Sequence, residues 1–595
     1  MQDDNSAKDS LDTPLPEDVD SPVAVSESEV SLPEDASDLP SASHDEQLDE
    51  VQDTIHEENG DTEQAEDTQP EQKLSLHQRL RAGLKSWWIN KKLRYGTFAG
   101  IGFVTFLIAC IPPSRYFVLN TVGVRSKASI VVVDDQSENP LKNVQVTIGE
   151  QTATTNIDGK AQLTNVKLGK QTLKVKKLAY AETEKSVTIG WGSNPLGSSQ
   201  IKAVGAQYSF IITDWLSGKP VNKTEASAGE FDASSDEEGK LTLVVDSKQA
   251  SNLFVVFKAA GYRDERVAVA SDSKNSQPVK LVSYRKQAFI SKRTGKYDLY
   301  KIDADGKNEK LVLPGTGSES DAIGLVSHPN LEVTAMTSSR DNLRNKQGYL
   351  LTTLTIVDLN DDTSQNIAQS EQIQIIGWSG DNLVYVQIAA GASASNPKRQ
   401  RLVSYNQKTE EKIELASSNN FNDVLMVGSK VYYAQSNTSP GFYAQNIDSK
   451  NRTTLLDKET WNILRSDYDT LDISSGDEWY QLKVGDSAAS KQTGQPVNQK
   501  SRIYSDSNDN ERSIWVDERD GKGTLVLYDK TNKKEKILVT QAGLENPVRW
   551  LSNSTIIYRI RTQQEIADYV LNIEGGTAKK IRDVTPTYGV DRWYH

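Results

Sequence analysis

Seven times between residues 286 and 595 a short apolar strand runs into a turn of Asp, Asn, Lys, Thr or Gly and leaves it as a second strand. The units read YDLYKIDADGKNEKLVL near 300, LTIVDLNDDTSQNIA near 358, LVSYNQKTEEKIEL near 406, FYAQNIDSKNRTTLL near 448, YQLKVGDSAASKQT near 485, LVLYDKTNKKEKILV near 529 and YVLNIEGGTAKKI near 573. A further strand pair precedes several of them: LEVTAMTSSRD from Leu331, IIGWSGDNLVYV from Ile375 and PVRWLSNSTIIYRI from Pro547. A period of about 45 residues with four short strands per unit leaves few folds open, because each unit buries its apolar faces only against the next copy. It predicts a seven-bladed β-propeller over 286–595.

The two ends of this array do not match. The first repeat lacks the upstream strand pair, and the last is followed by TPTYGVDRWYH, residues 585–595. Pairing about 589–594 with the blade begun by 287–292 would remove two open strand edges. Deletion of 585–595 is then expected to lower the melting temperature of the whole ring.

The first hairpin ends in Asp303-Ala-Asp305-Gly306, half of a calcium-loop pattern. An oxygen cage of that kind needs a ligand at its fifth position, and Lys307 stands there. Six sibling turns lack the pattern, so these residues are read as a turn, and replacing both aspartates by alanine is expected to cost at most about 1 kcal/mol. Asp506-Ser-Asn508-Asp-Asn510 is a second cation-like stretch with the same turn reading.

Charge divides the remainder of the chain. Residues 1–72 carry 24 Asp or Glu against one Lys, so the other 523 are near +9 although the whole chain is -14. Without an aromatic residue, the acidic segment cannot bury enough apolar surface to offset its ordering entropy and is expected to be disordered, either a spacer or bait for a basic partner. It repels nucleic acid, which excludes that partner class. The run KLSLHQRLRAGLKSWWINKKLR, 73–94, reverses the sign with seven Lys or Arg and places Leu76, Leu80, Leu84 and Trp87 at helical spacing. It is a basic amphipathic helix with Trp87 and Trp88 suited to a headgroup region.

Next comes YGTFAGIGFVTFLIACI, seventeen residues without a charge, stopped by Pro112 and Pro113. It covers about 25 Å as a helix, so 95–113 is expected to cross a bilayer with flanking residues making up the length. Tyr95, Phe98, Phe103, Phe106 and Ile111, with Trp87 and Trp88, are the anchor residues. The cations precede the span, which places residues 1–94 in the cytoplasm and 114–595 outside, a single-pass cell-membrane protein. Leu107-Ile-Ala-Cys110 offers a rival reading as a lipoprotein cleavage site, opposed by the roughly 95 residues before the apolar run. Gly96 and Gly100 would let two such helices approach in a weak homodimer. Cys110 is the only cysteine, so no intramolecular disulfide is available.

Residues 126–190 and 204–284 alternate β-branched runs with turn clusters every eight to twelve residues, the spacing of small β-sandwiches. GSNPLGSS, 192–199, reads as the linker between them. The order VVDDQSENPLKNVQVTIG, TNIDGKAQLTNV and a glycine-started strand resembles the carboxypeptidase regulatory-like module, related to transthyretin-like and CnaB domains. TDWLSGKPVNKTEASAG, SSDEEGKLTLVV and VVFKAAGYRDERVAV repeat that order. The resemblance implies spacers or stalks, some with an internal Lys–Asn bond that no residue trio here identifies. The Trp-Ser turn, apolar strand, Ser-x-Arg step and Leu-Tyr strand ending in Asp-Gly resemble the PD40 repeat of TolB-type propellers, over about half the chain. The pattern departs furthest around 467–493, in the fifth repeat.

Enzyme chemistry finds little support. Only His328 and His595 lie beyond the apolar run, so neither His-ligated zinc nor a serine–histidine triad is supported. Gly377-Trp-Ser379-Gly-Asp fails as a nucleophile elbow, and no phosphate-binding or dinucleotide fingerprint implies a cofactor. The reading is an anchored extracytoplasmic propeller on a sandwich stalk that binds a protein or glycan. The alternative is a propeller enzyme acting on carbohydrate through two funnel carboxylates.

Overall fold

The computed structural model describes residues 87–110, 112–249, 253–269, 275–389, 391–437, 439–496 and 502–584. The chain divides into two units between Arg94 and Tyr95. The acidic segment 1–72 and most of the basic run 73–94 lie outside the described residues, as do Ile111 and the expected closing segment 585–595.

Helix α1 (Lys91–Cys110) carries the apolar run, and Phe98, Ile101, Phe103, Val104 and Phe106 along it are all more than half exposed. Among the described residues no helix is long and apolar enough to cross a membrane. Pro112 and Pro113, expected only to stop the apolar run, open a second helix, α2 (Pro112–Thr121). Proline lacks an N–H and has φ preset, so it fits the first helical turn, where no intrahelical acceptor is needed.

Seven strands follow: β1 (Ser126–Asp134), β2 (Gln145–Ile148), β3 (Gln151–Thr154), β4 (Lys160–Val166), β5 (Gly169–Lys176), β6 (Thr183–Ile189) and β7 (Ser193–Ile201). They form a three-stranded sheet in the order β4-β1-β7 and a four-stranded sheet in the order β3-β2-β5-β6. The two sheets share one core through Ile130, Leu163, Val146 and Leu173. The stretch expected as a linker is therefore β7, paired parallel with β1. Its polar Asn-Pro-Gly-Ser composition hides the strand, because only Ser199 and Ile201 are buried along it.

The next seven strands, β8 (Ala206–Asp214), β9 (Glu225–Ala228), β10 (Phe231–Ser234), β11 (Lys240–Val245), β12 (Phe254–Lys258), β13 (Glu265–Ala268) and β14 (Gln277–Leu281), repeat the plan as β11-β8-β14 and β10-β9-β12-β13. The repeat holds at single atoms. Asp134 Oδ1 accepts from the Gln136 and Ser137 amides and the Ser137 hydroxyl, and Asp214 Oδ1 does the same for Leu216 and Ser217. Gly159 and Gly239, the glycines of the two Gly-Lys turns, have φ of 68° and 73°. A Cβ there would lie 2.6 and 2.3 Å from the carbonyl oxygens of Val132 and Ile212. Only glycine fits both the backbone and the space.

Seven sheets then succeed one another as blades 1 to 7, spanning 286–313, 324–370, 373–418, 421–456, 462–491, 505–541 and 544–583. All but the first have four strands, and each packs on the next. Ala335 and Leu354 of blade 2, for example, share a cluster with Tyr385 and Val403 of blade 3. Phe289 and Ile302 of blade 1 join Leu551, Ile557 and Val570 of blade 7, so the ring closes through apolar side chains. Blade 1 has three strands among the described residues, and the edge facing the channel is met by side chains. The Lys286 amide donates to Glu332 Oε2 of blade 2, and Arg549 of blade 7 donates to the Ala288 carbonyl. The irregular fifth repeat is explained by its last strand, Ser490–Lys491, and by the first strand of blade 6, Ser505–Asp506, each only two residues long.

Candidate functional site

The Trp-Ser signature acquires a structural meaning at the ring's inner wall. Trp378 Nε1 donates to the Val326 carbonyl of the preceding blade, and Trp550 Nε1 donates to the Ser505 carbonyl in the same way, both at 3.0 Å. Each indole thus staples its innermost strand to the neighbour and lays its ring toward the channel. Gly377 and Ser379, beside the first staple, lie in the innermost strand of blade 3, Ile373–Ser379, and the turn expected there falls at Gly380 and Asp381.

A cavity of about 300 Å³ occupies this end of the channel. Its lining comes from the ends of the innermost strands of blades 2, 3, 4, 6 and 7, with Val326, Ile376, Met426 and Ile503 beside the two indoles. Two charged residues, Asp506 and Arg549, line it. Burial raises the Asp506 pKa, but bonds from Arg465 and Lys530 and the Ser513 hydroxyl outweigh it and bring the carboxyl to about 2. Arg465 grips Asp506 at 2.7 and 3.0 Å, with Lys530 Nζ at 3.1 Å. This carboxylate, read in the sequence as part of a cation-like stretch, is committed to protein cations, while Ser507 to Asn510 make the turn. Arg549 is 7% exposed, and burial lowers its pKa to about 10.

His328 lies behind the cavity wall, 2% exposed, its ring 4.9 Å from Trp378. Nδ1 accepts from the amides of Asn330 and Leu331 at 3.0 Å, so the proton sits on Nε2 and is donated to the Gly380 carbonyl at 2.9 Å. A second proton would point Nδ1 at two N–H donors. Burial chiefly, with repulsion from Arg285, lowers the pKa from 6.5 to about 4. Because the unfolded state takes up the proton first, stability is expected to fall by about 3 kcal/mol as pH drops from about 6.5 to about 4. Urea midpoints measured across that range should show the loss in wild type and a flatter profile in His328→Gln. Equal slopes would refute the assignment.

Between blades 3 and 4 a recess of about 280 Å³ is lined by Gln372, Gln374, Gln400, Asn422 and Asp423. Burial raises the Asp423 pKa, although the amides of Ile463 and Val424 donate to it at 2.8 and 2.9 Å.

Asp303 and Asp305 are more than a turn. Gly306 N donates to the Asp303 carbonyl, as a turn requires, but both carboxylates receive Arg263 from the second two-sheet unit. Its guanidinium lies 2.6 Å from Asp303 and 2.9 Å from Asp305, whose side chains are 7% and 3% exposed. The expectation of a cheap surface turn is thereby corrected. Gly306, with φ of 77°, seats the turn on blade 7, where a Cβ would meet the Ile581 carbonyl at 2.2 Å. Sequence inspection missed the clamp because its cation stands 40 residues upstream in another repeat family.

Of the anchor residues, Trp87 and Trp88 stack at 5.9 Å with Arg94 over Trp88. Tyr95, Phe98, Phe103 and Phe106 are exposed along α1. A Cβ on Gly96 or Gly100 would meet nothing within 4 Å. Among the described residues no group of three His, Cys, Asp or Glu is placed to hold a metal.

No protein-family model and no curated protein matches this sequence. Among solved structures the chain is similar to the β-propeller domain of the Trilobed protease from Pyrococcus furiosus, at 10% identity and a TM-score of 0.32, covering 51% of this chain and 97% of that one. It is similar to oligogalacturonate lyase from Vibrio parahaemolyticus at 11% identity and a TM-score of 0.29, over 48% and 86% of the two chains. For TolB from Acinetobacter baumannii the identity is 11%, the TM-score 0.25, and the shares 49% and 77%.

Proposed function

We propose that this chain is a single-pass, membrane-anchored binding protein whose two-sheet units form a stiff stalk that presents the propeller outside the cell. The locked joints from α2 to blade 1 carry the reading. Asn120 of α2 exchanges two hydrogen bonds with the Leu168 backbone, at 2.9 and 3.0 Å. The two sheet units share apolar contacts through Ala179 and are tied by Lys142–Glu225 and by Lys177–Asp232, whose side chains are 7% and 17% exposed. Beyond the Arg263 clamp, Lys219 pairs with Glu574, and Lys579 lies 4.0 Å from the Trp215 ring. A flexible tether would leave such joints polar and open; these are buried or multiply bonded.

The apolar surface supports anchoring. At the end of the first two-sheet unit where α2 docks, Trp191 is 79% exposed, with Phe117 and Val122 exposed on the arriving chain. Exposed aromatics beside an apolar helix suit a membrane interface. The strand plan fits the spacer role that the carboxypeptidase regulatory-like resemblance implies. Binding is favoured over carbohydrate cleavage because Asp506 is the one carboxylate lining the channel cavity among the described residues, and glycoside work needs two facing each other. The ligand partner is an extracytoplasmic molecule met by the propeller.

Protease added to intact cells should remove the propeller and spare an epitope placed within residues 1–72. Digestion of that epitope would overturn the topology, and a mature chain starting at a lipidated Cys110 would replace the helical anchor with a lipid one.

A further inference from the structure

Arg549 is a buried cation without a matching carboxylate. Its Nη1 donates to the Ala288 carbonyl at 3.2 Å, while Nε has no acceptor among the described residues. The two acids that influence it most are committed elsewhere: Asp568 to Arg559 and Arg582, and Glu332 to Arg285. The other charged group lining the cavity, Asp506, is outnumbered by Arg465 and Lys530. The cavity wall therefore carries a surplus of positive charge at a site that is otherwise half apolar.

From this geometry we infer that the channel cavity binds a small organic monocarboxylate, its carboxylate on Arg549 and its apolar part against Trp378, Trp550 and Met426. A guanidinium edge matches a carboxylate in a planar fork, and one uncompensated cation calls for one negative charge. A dianion would bring its second charge toward Asp506. A volume of about 300 Å³ is at the lower end of small-molecule sites. Both indole N–H groups are spent on the inter-blade staples, so the rings offer apolar contact rather than donors. This assignment deepens the binding reading and rests on it only in taking the propeller as the recognition module.

The test uses the full chain in detergent, titrated by calorimetry with benzoate, with its neutral isostere benzamide, and with inorganic phosphate. Benzoate should bind at one site, with benzamide and phosphate at least about tenfold weaker. Arg549→Gln should lose at least about tenfold in benzoate affinity. Met426→Trp, which fills the cavity from blade 4 and leaves Arg549 in place, should abolish binding with the fold intact, so the test survives misfolding of the arginine variant. Equal binding of benzamide or phosphate, benzoate binding unchanged in Met426→Trp, or no benzoate binding at all would overturn the assignment. Binding seen only after deletion of 585–595 would overturn it too, by making a carboxylate of that segment the occupant. Failure of benzoate with the protease result intact would remove this site and leave the stalk reading standing.

Discussion

Asp568→Asn is expected to destabilise the propeller by about 3–5 kcal/mol, the cost of breaking a buried ion pair from one side. The carboxylate is 0% exposed and accepts four hydrogen bonds: from Arg559 at 2.7 and 3.1 Å, Arg582 at 3.0 Å and Gln287 at 2.9 Å. Gln287 belongs to blade 1 and the others to blade 7, so this one group neutralises two buried guanidiniums and bonds across the seam that closes the ring. An amide in its place keeps the volume but turns donors toward donors. Burial alone would raise the Asp568 pKa, and the two arginines more than reverse it, leaving it lowered. Its stabilisation is thus full above the ordinary carboxylate range and is lost as pH falls through the lower folded value. Scanning calorimetry should show a drop of roughly 5–15 °C in the propeller transition. A variant melting within a degree or two of wild type would mean that the seam is held by its apolar cluster alone.

Asp303→Ala with Asp305→Ala is expected to cost about 2–4 kcal/mol, somewhat less than a fully buried pair because the Arg263 side chain keeps 18% exposure. The larger effect is on cooperativity. With the clamp gone, the second two-sheet unit and the propeller should melt as two transitions rather than one. Adding Arg263→Met should recover part of the loss, since the half-buried cation that the two alanines leave to Glu265 alone is then removed. A loss within about 1 kcal/mol, with the single transition preserved, would restore the simple turn reading.

Periodicity carried the ring. Each of the seven hairpins read from the sequence is the last two strands of a blade, because inter-blade packing demands the same apolar alternation every time and therefore writes itself into the chain. The second two-sheet unit repeats the first in the structure, at Asp134 and Asp214 and at the glycines 159 and 239. Strand β7 was not legible, since an edge strand with two buried residues leaves almost no apolar signal. Nor was the candidate site. Arg549 stands in the sequence as one cation among 68 Lys and Arg, and its meaning arises only when blades 1, 2 and 7 bring Ala288, Glu332 and Asp568 around it. The Asp303 and Asp305 clamp has the same origin. Local sequence determines what a segment can form by itself, strand, turn or apolar helix, because those preferences act over a few residues. Which charges meet in the dark of a closed ring depends on contacts between segments dozens to hundreds of residues apart, and the tertiary structure alone decides them.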